Sequence, residues 1–427
     1  MNQTLLLKNG YLADPDTGFE GIADLLIENG RIAAVCPDLE ADAAETIDCR
    51  GLTVLPGLVD LHVHLRDPGQ TYKEDIRTAG EAAARGGVTT LLAMPNTNPP
   101  MDSVNRISYV TRKAMQESPV HILQASSITK EMAGTEVVDV PAIRSFGVNV
   151  FSEDGKSVMN ASVMRRAMRQ IAAGDGLICD HCEDISMVEG GVMNADAEAE
   201  RLGLPGISDA VEDVIAARDA ILAGETGVRL HLCHCSTKGS VEIAKAAKKA
   251  GVRLTAEVCP HHFILTSSDI PCDDANYKMN PPLRTPEDVK ALREGLQSGV
   301  IDCISTDHAP HSAEEKSRGF AKAPFGIVGL ETSAALTYTE LVKGGVLTLM
   351  QMAEKMSRNP ARILGVPGGS LRPGAAADIA VFDFQASYRI DPEKFASKGR
   401  NTPFAGRMVY GKTCCTIAGG RVIYRDM

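Results

Sequence analysis

Eight short apolar runs, separated by helix-like stretches, constrain this chain more than any other feature of its sequence. They are VLPGLVDLHVH, VTTLLAMPN, VHILQAS, VNVFSED, GLICDHC, VRLHLCHC, RLTAEVCPH and VIDCISTDH. Between them lie helical patterns such as KEDIRTAGEAAARGG, NASVMRRAMRQIAAG, DAVEDVIAARDAILAG and SVEIAKAAKKAG. Apolar runs of this length read as buried strands, and strands alternating with helices call for a parallel sheet. A doubly wound open sheet satisfies the same alternation. Eight units over about 300 residues favour closure into an α/β fold of the (β/α)8, TIM-type barrel kind.

The ends of the chain read differently. DLLIENGRIAAV is strand, Asn29-Gly30, strand, and CTIAGGRVIYRD is strand, Gly419-Gly420, strand. Both are two-residue hairpin signals. GAAADIAVFDF adds a further strand. The expected organisation is one small, β-sandwich-like domain composed of residues 1–52 and 365–427, with the barrel, residues 53–364, inserted between its halves.

Composition excludes several functions. A net charge of −11, no Trp and 4% aromatic residues argue against nucleic acid, which needs a basic surface or stacking platforms. No apolar run approaches the roughly 18 residues of a membrane span. The start MNQTLLLKNG has no cationic leader, and eleven cysteines lie scattered without a framework. The expectation is a cytoplasmic protein with reduced thiols.

Polar side chains collect where the apolar runs end. Seven of the eight strands run into His62/His64, Asn96, Asp154, His181, His234, His261/His262 or Asp307. Active sites of barrels sit at that rim. His62 and His64 are two apart and share a strand face. On HLCHCS, alternation puts His234 with Leu232 and turns His231 and Cys233 away, so Cys233 is expected against a helix. His121 starts a strand and reads as a packed or surface residue.

Four imidazoles and two carboxylates form an N/O donor set suited to Zn2+. Six ligands exceed the need of one tetrahedral ion, so two ions with a shared bridge fit better. Asp154 is the expected bridge, because one carboxylate can hold an ion on each oxygen. Lys156 is its rival, since a lysine can bridge metals after reacting with CO2. His261, His262 and His308 are expected to orient neighbours. Asn96 before Thr-Asn-Pro and Asn280 before Pro-Pro could be turn residues.

The stretches PGLVDLHVHLRDPG, MPNTNPP, FSEDG, HCED, LCHCSTKGS, EVCPHH, KMNPPLR, STDHAPH and PFGIVGLET, spanning residues 56–332 in order, resemble the amidohydrolase superfamily. Within it they most resemble the shorter bacterial dihydroorotases, whose bridging metal ligand is aspartate. The resemblance implies that His62, His64 and Asp307 hold one Zn2+ and that His181 and His234 hold a second. Asp154 would lie between the two, and the second site could be partly occupied. It implies substrate contacts at Arg66, Asn96, Asn280 and His311 and at backbone groups of Phe325 and Gly326, with Asp307 carrying the proton. The implied reaction is reversible closure of N-carbamoyl-L-aspartate to (S)-dihydroorotate and water, a step of pyrimidine (UMP) biosynthesis. A homodimer is expected, with association to aspartate carbamoyltransferase as in some relatives. Residues 311–326 are a candidate loop over the site. Two readings compete: a related hydantoinase, dihydropyrimidinase or allantoinase, and a non-catalytic partner subunit.

Overall fold

The computed structural model describes residues 4–427. Both chain ends build one eight-stranded sheet. Its order is Arg421–Arg425, Met408–Ala418, Ile379–Arg389, Thr53–Pro56, Thr4–Asp14, Phe19–Glu28 and Arg31–Cys36, with Glu45–Asp48 also paired to Thr4–Asp14. Its own core draws on both ends, through Leu7, Leu25 and Ile27 from one and Ile379, Val381 and Ile417 from the other.

The two hairpins turn where Asn29 and Gly30 have φ of 51° and 76°, and where Gly419 and Gly420 have 55° and 77°. Positive φ at both central residues matches the right-handed twist of the flanking strands, and glycine adopts it without steric penalty. The two turns also touch. A Cβ added to Gly420 would stand 2.6 Å from Gly30 Cα. Ala377 joins them, donating its N–H to Gly30 O and accepting from Gly420 N, each at 2.9 Å.

The residues after Leu52 depart from the expected boundary. Thr53–Pro56 pairs with Ile379–Arg389 on one side and Thr4–Asp14 on the other, so it belongs to the terminal sheet. The backbone satisfies its hydrogen bonds there first and enters the barrel only at Leu58.

Barrel strands follow the eight apolar runs: Leu58–Val63, Val88–Ala93, His121–Gln124, Val150–Ser152, Leu177–Asp180, Arg229–Leu232, Leu254–Val258 and Cys303–Ile304. All pair in parallel. The third strand breaks at Ala125 and resumes as Ser126–Ser127 to meet the fourth. A parallel bridge between Val63 and His308 closes the ring.

Helices Ile76–Arg85, Val104–Glu117, Ala161–Ala172, Ala210–Thr226, Lys238–Lys249 and Pro286–Ser298 lie outside, several started by side-chain caps. Asp75 and Thr78 form a capping box, Asn160 accepts from Ser162 N, and Thr237 accepts from Ser240 N. Among the described residues no helix is long and apolar enough to cross a membrane.

Candidate metal centre and active site

The first barrel strand delivers its histidines through an irregularity. Its register against the second strand shifts between Asp60 and Val63. Asp60 pins that irregularity, since its Oδ1 accepts from His62 N at 3.1 Å and from Thr306 N at 3.2 Å. Burial pushes the Asp60 carboxyl up to about 7. His62 and His64 consequently aim at one region from the strand and from just beyond it.

Six side chains meet there. His62 Nε2 lies 3.1 Å from Asp154 Oδ1 and 3.6 Å from Asp307 Oδ1. His64 Nε2 lies 2.9 Å from Asp307 Oδ1 and 3.5 Å from Asp154 Oδ2. His181 Nδ1 and His234 Nε2 face each other at 3.0 Å, and each is 3.7 Å from Asp154 Oδ1. Asp154 is therefore the hub, with all four imidazoles around its two oxygens. Every one of the six is buried.

The chemistry of this group asks for cations. His62 Nε2 and Asp154 Oδ1 have no hydrogen-bond partner, and neither have His181 Nε2 and His234 Nδ1. Buried polar atoms left so are costly, and buried carboxylates need positive charge. Burial alone would raise the Asp154 carboxyl, but the positive charge of the neighbouring imidazoles, His62 foremost, holds it well below the usual range. Asp307 is likewise lowered against its burial, chiefly by the bond from His64 and the charge of His62. Burial would lower His181, yet Glu183 and Asp154 bring it up to about 9. An imidazole and carboxylate donor set that stabilises charge on its neighbours in this way fits divalent metal.

A second layer orients the rings. Glu257 is fully buried inside the barrel, and its Oε1 lies 3.1 Å from His62 Nδ1. His231 Nε2 lies 3.1 Å from Glu257 Oε2, and Ser305 Oγ donates to the same oxygen. A proton on His62 Nδ1 leaves the Nε2 lone pair facing the cluster. Glu257 is not among the site residues expected from the sequence, although a Glu inside the apolar run LTAEV is a signal of a buried partner. Asn96 does the same for His64. Its Oδ1 meets His64 Nδ1 at 2.9 Å while its Nδ2 donates to Asp154 Oδ2 at 3.1 Å. Asn96 thus touches two of the six rather than standing apart from them.

Cys233 is not packed against a helix. It lies in the barrel interior with Leu61, Leu177, Cys179 and Cys303. Strand geometry stops at Leu232, and His234 takes φ of 33°, so the two-residue alternation no longer holds across this pair. Lys156 is exposed and donates to Met132 O at 3.3 Å, turned away from the cluster.

Above the six sits a cationic rim. Arg66 has φ of 58°, and its Nε donates to Pro310 O at 3.3 Å. Its Nη2 lies 3.3 Å from His311 Nε2. His311 donates from Nε2 to Phe325 O at 2.8 Å and accepts at Nδ1 from Lys73 Nζ at 3.3 Å. Burial, together with Arg66 and Lys73, pushes this imidazole down to about 2, so it is neutral. Asn280 Nδ2 donates to Glu183 Oε1 at 2.8 Å, and Glu183 Oε2 lies 3.5 Å from His181 Nε2.

Gly326 N donates to Lys278 O at 3.0 Å, and Gly326 O accepts from Asn401 and Lys316, each at 2.9 Å. These Gly326 groups are engaged within the protein, while the Phe325 carbonyl retains one lone pair. His308 faces Glu74 at 3.3 Å, and His121 pairs with Asp378 at 3.1 Å.

The family described as Dihydro-orotase-like matches residues 51–240, and the Amidohydrolase family matches residues 207–424. A dihydroorotase of Pelotomaculum thermopropionicum is 47% identical over 422 residues, covering 99% of each chain. One from Geobacillus kaustophilus is 47% identical over 420 residues, covering 98% of each. Among solved structures, the L-hydantoinase (dihydropyrimidinase) of Arthrobacter aurescens superposes with a TM-score of 0.89 at 28% identity, over 100% of this chain and 96% of its own. A D-hydantoinase (dihydropyrimidinase) from Thermus sp. gives 0.86 at 27%, over 99% and 95%.

Proposed function

From the premise that this chain belongs to the amidohydrolase family, among its dihydroorotases, we propose that it closes N-carbamoyl-L-aspartate to (S)-dihydroorotate and water, reversibly, in pyrimidine biosynthesis. One observation carries the reading: four histidines remote in sequence converge on Asp154, with Asp307 beside two of them and with His62 Nε2 and Asp154 Oδ1 left without hydrogen-bond partners.

In this reading His62, His64 and Asp307 would hold one Zn2+, and His181 and His234 a second, with Asp154 serving both. Such ions would supply Lewis acidity toward a carbonyl oxygen and would lower the pKa of water from 15.7 toward about 7. The chain's own residues do the rest. In ring opening, Asp307 takes a proton from the attacking water and gives it to the departing amide nitrogen. In ring closure it takes the proton of the ureido nitrogen as the C–N bond forms and passes it to the departing carboxylate oxygen, which leaves as water with a second proton from solvent.

Arg66 grips the carboxylate that does not react, through a planar fork suited to two parallel hydrogen bonds. His311 and Asn280 stand beside that carboxylate and the ring, and the free lone pair of the Phe325 carbonyl accepts from a ring N–H. Asn96 serves the site through His64 and Asp154 as well as from its edge.

In this reading the terminal sheet and the barrel are two units between which the chain crosses at Pro56-Gly57, with Phe382 and Phe384 of the sheet packed into the barrel's core. A cytoplasmic homodimer, associating with aspartate carbamoyltransferase, completes the reading. Size-exclusion chromatography with and without that partner enzyme checks it.

The likeness to hydantoinase structures supports the second reading, a cyclic amidase without need of a carboxylate clamp. Ring opening of dihydroorotate, hydantoin and allantoin by the same preparation, with its metal content measured, decides between them. The expected result is turnover of dihydroorotate with close to two metal ions per chain. A preference for hydantoin or allantoin defeats the assignment, and a metal-free protein without turnover favours a non-catalytic partner subunit.

A further inference from the structure

A second group of metal-ligand atoms lies next to the cluster of six, and the reaction above makes no use of it. The seventh barrel strand ends at Val258, and Cys259 then caps a short helix, Pro260–Ile264, that starts Pro-His-His. Cys259 is fully buried, and His261 and His262 are each 2% exposed. Cys259 Sγ and one nitrogen from each imidazole lie within 4.8 Å of one another. The ring centroids of the two histidines are 4.2 Å apart.

The protonation of these groups sets them apart from ordinary core residues. His262 Nε2 donates its proton to Pro281 O at 2.9 Å, which leaves the lone pair on Nδ1. That Nδ1 has no hydrogen-bond partner, and neither has His261 Nε2. A thiol and two imidazoles with unused nitrogens, sealed from water, lack what such groups normally find: a donor or a cation.

We propose that Cys259, His261 and His262 form a separate, thiolate-containing site for one Zn2+-like cation. Sulfur and imidazole nitrogen are the donors such an ion prefers, whereas the neighbouring cluster offers only imidazole and carboxylate. Bonds of about 2.0–2.3 Å put tetrahedral ligand atoms about 3.3–3.8 Å apart, so the three side chains draw together by about 1 Å. On binding, the Cys259 S–H bond breaks, a sulfur–metal bond forms and the proton leaves to solvent, with no change of oxidation state. The ion ties the end of the seventh strand, through His262, to the carbonyl of Pro281, the residue after Asn280.

Co2+ added to chelator-stripped, full-length protein tests this, because only a thiolate ligand gives a sulfur-to-cobalt charge-transfer band in the near ultraviolet. The wild type is expected to show the band, Cys259→Ser to lose it, and Cys233→Ser to keep it. Absence of the band in the wild type overturns the proposal. So does a band that survives Cys259→Ser, or one that vanishes with Cys233→Ser, whose sulfur lies by His62 and Glu257. Should Cys259→Ser fail to fold, anomalous scattering at the cobalt edge from wild-type crystals decides without a variant. A peak between Cys259, His261 and His262 supports the site, and peaks confined to the cluster around Asp154 refute it.

Discussion

The terminal sheet and the barrel rim both contain left-handed backbone, but they assign it to different residues. In the sheet it falls on Asn9, Asn29 and the glycines of the two hairpins, at turns and at the bulge after Leu7. At the rim it falls on Arg66, His234 and Asp307, with φ of 58°, 33° and 47°. Gly and Asn accept this conformation readily and Asp and His less often, whereas for arginine it is uncommon and is held where surrounding contacts over-determine it. In the sheet the conformation makes turns, while at the rim it aims the side chains of His234 and Asp307 at the cluster around Asp154.

If that contrast holds, changes at the rim cost activity before stability, and changes in the hairpins do the reverse. Asp307→Asn should show the largest effect, a fall in turnover of about 10²- to 10⁴-fold. Its thermal midpoint should stay near wild type, since Asn tolerates the same φ. Wild-type turnover would strip Asp307 of its proton-carrying role. Asp154→Ala should empty the metal centre, read by elemental analysis, while Lys156→Ala keeps its metal; the opposite outcome would make the lysine the bridge.

Arg66→Lys sharpens the comparison, because it keeps the charge and loses the planar fork. Substrate binding should weaken by about 1.5–3 kcal/mol, seen in KM more than in kcat. An unchanged KM for dihydroorotate would remove Arg66 as the clamp. Gly420→Ala should lower stability by about 1–2 kcal/mol, through its positive φ and its contact with Gly30, while activity per folded molecule persists.

The smallest effect concerns His121, half exposed, whose pKa is raised by its bond to Asp378. Its folded value exceeds the unfolded one of about 6.5, so its contribution is complete below that pH and fades as pH rises through the folded value. His121→Gln should therefore destabilise by less than about 1 kcal/mol at pH 5.5, after solvent screening, and by nothing measurable at pH 9. Denaturation curves at both values check the sign.

The same contrast explains what could be read in the sequence. Asn29-Gly30 and Gly419-Gly420 declared their hairpins, and all eight apolar runs became barrel strands, because regular backbone obeys periodicity. Alternation failed at Cys233, where the strand had ended and His234 turned left-handed. It was silent on Glu257, whose partners His62 and Ser305 come from the first and eighth strands and are joined to it only by barrel closure. Thr53–Pro56 reads from sequence as part of the barrel because its apolar residues suit either sheet, and hydrogen-bond pairing alone separates them.

The meeting of the two hairpins bears on how the molecule is made. Strand Thr53–Pro56 and the turn at Gly30 wait for partners in Ile379–Arg389 and at Gly420. A ribosome must therefore finish the entire barrel before the first strands it synthesised gain their last neighbours. Until then Thr53–Pro56 carries an unpaired edge, and synthesis of Ile379–Arg389 is what closes it.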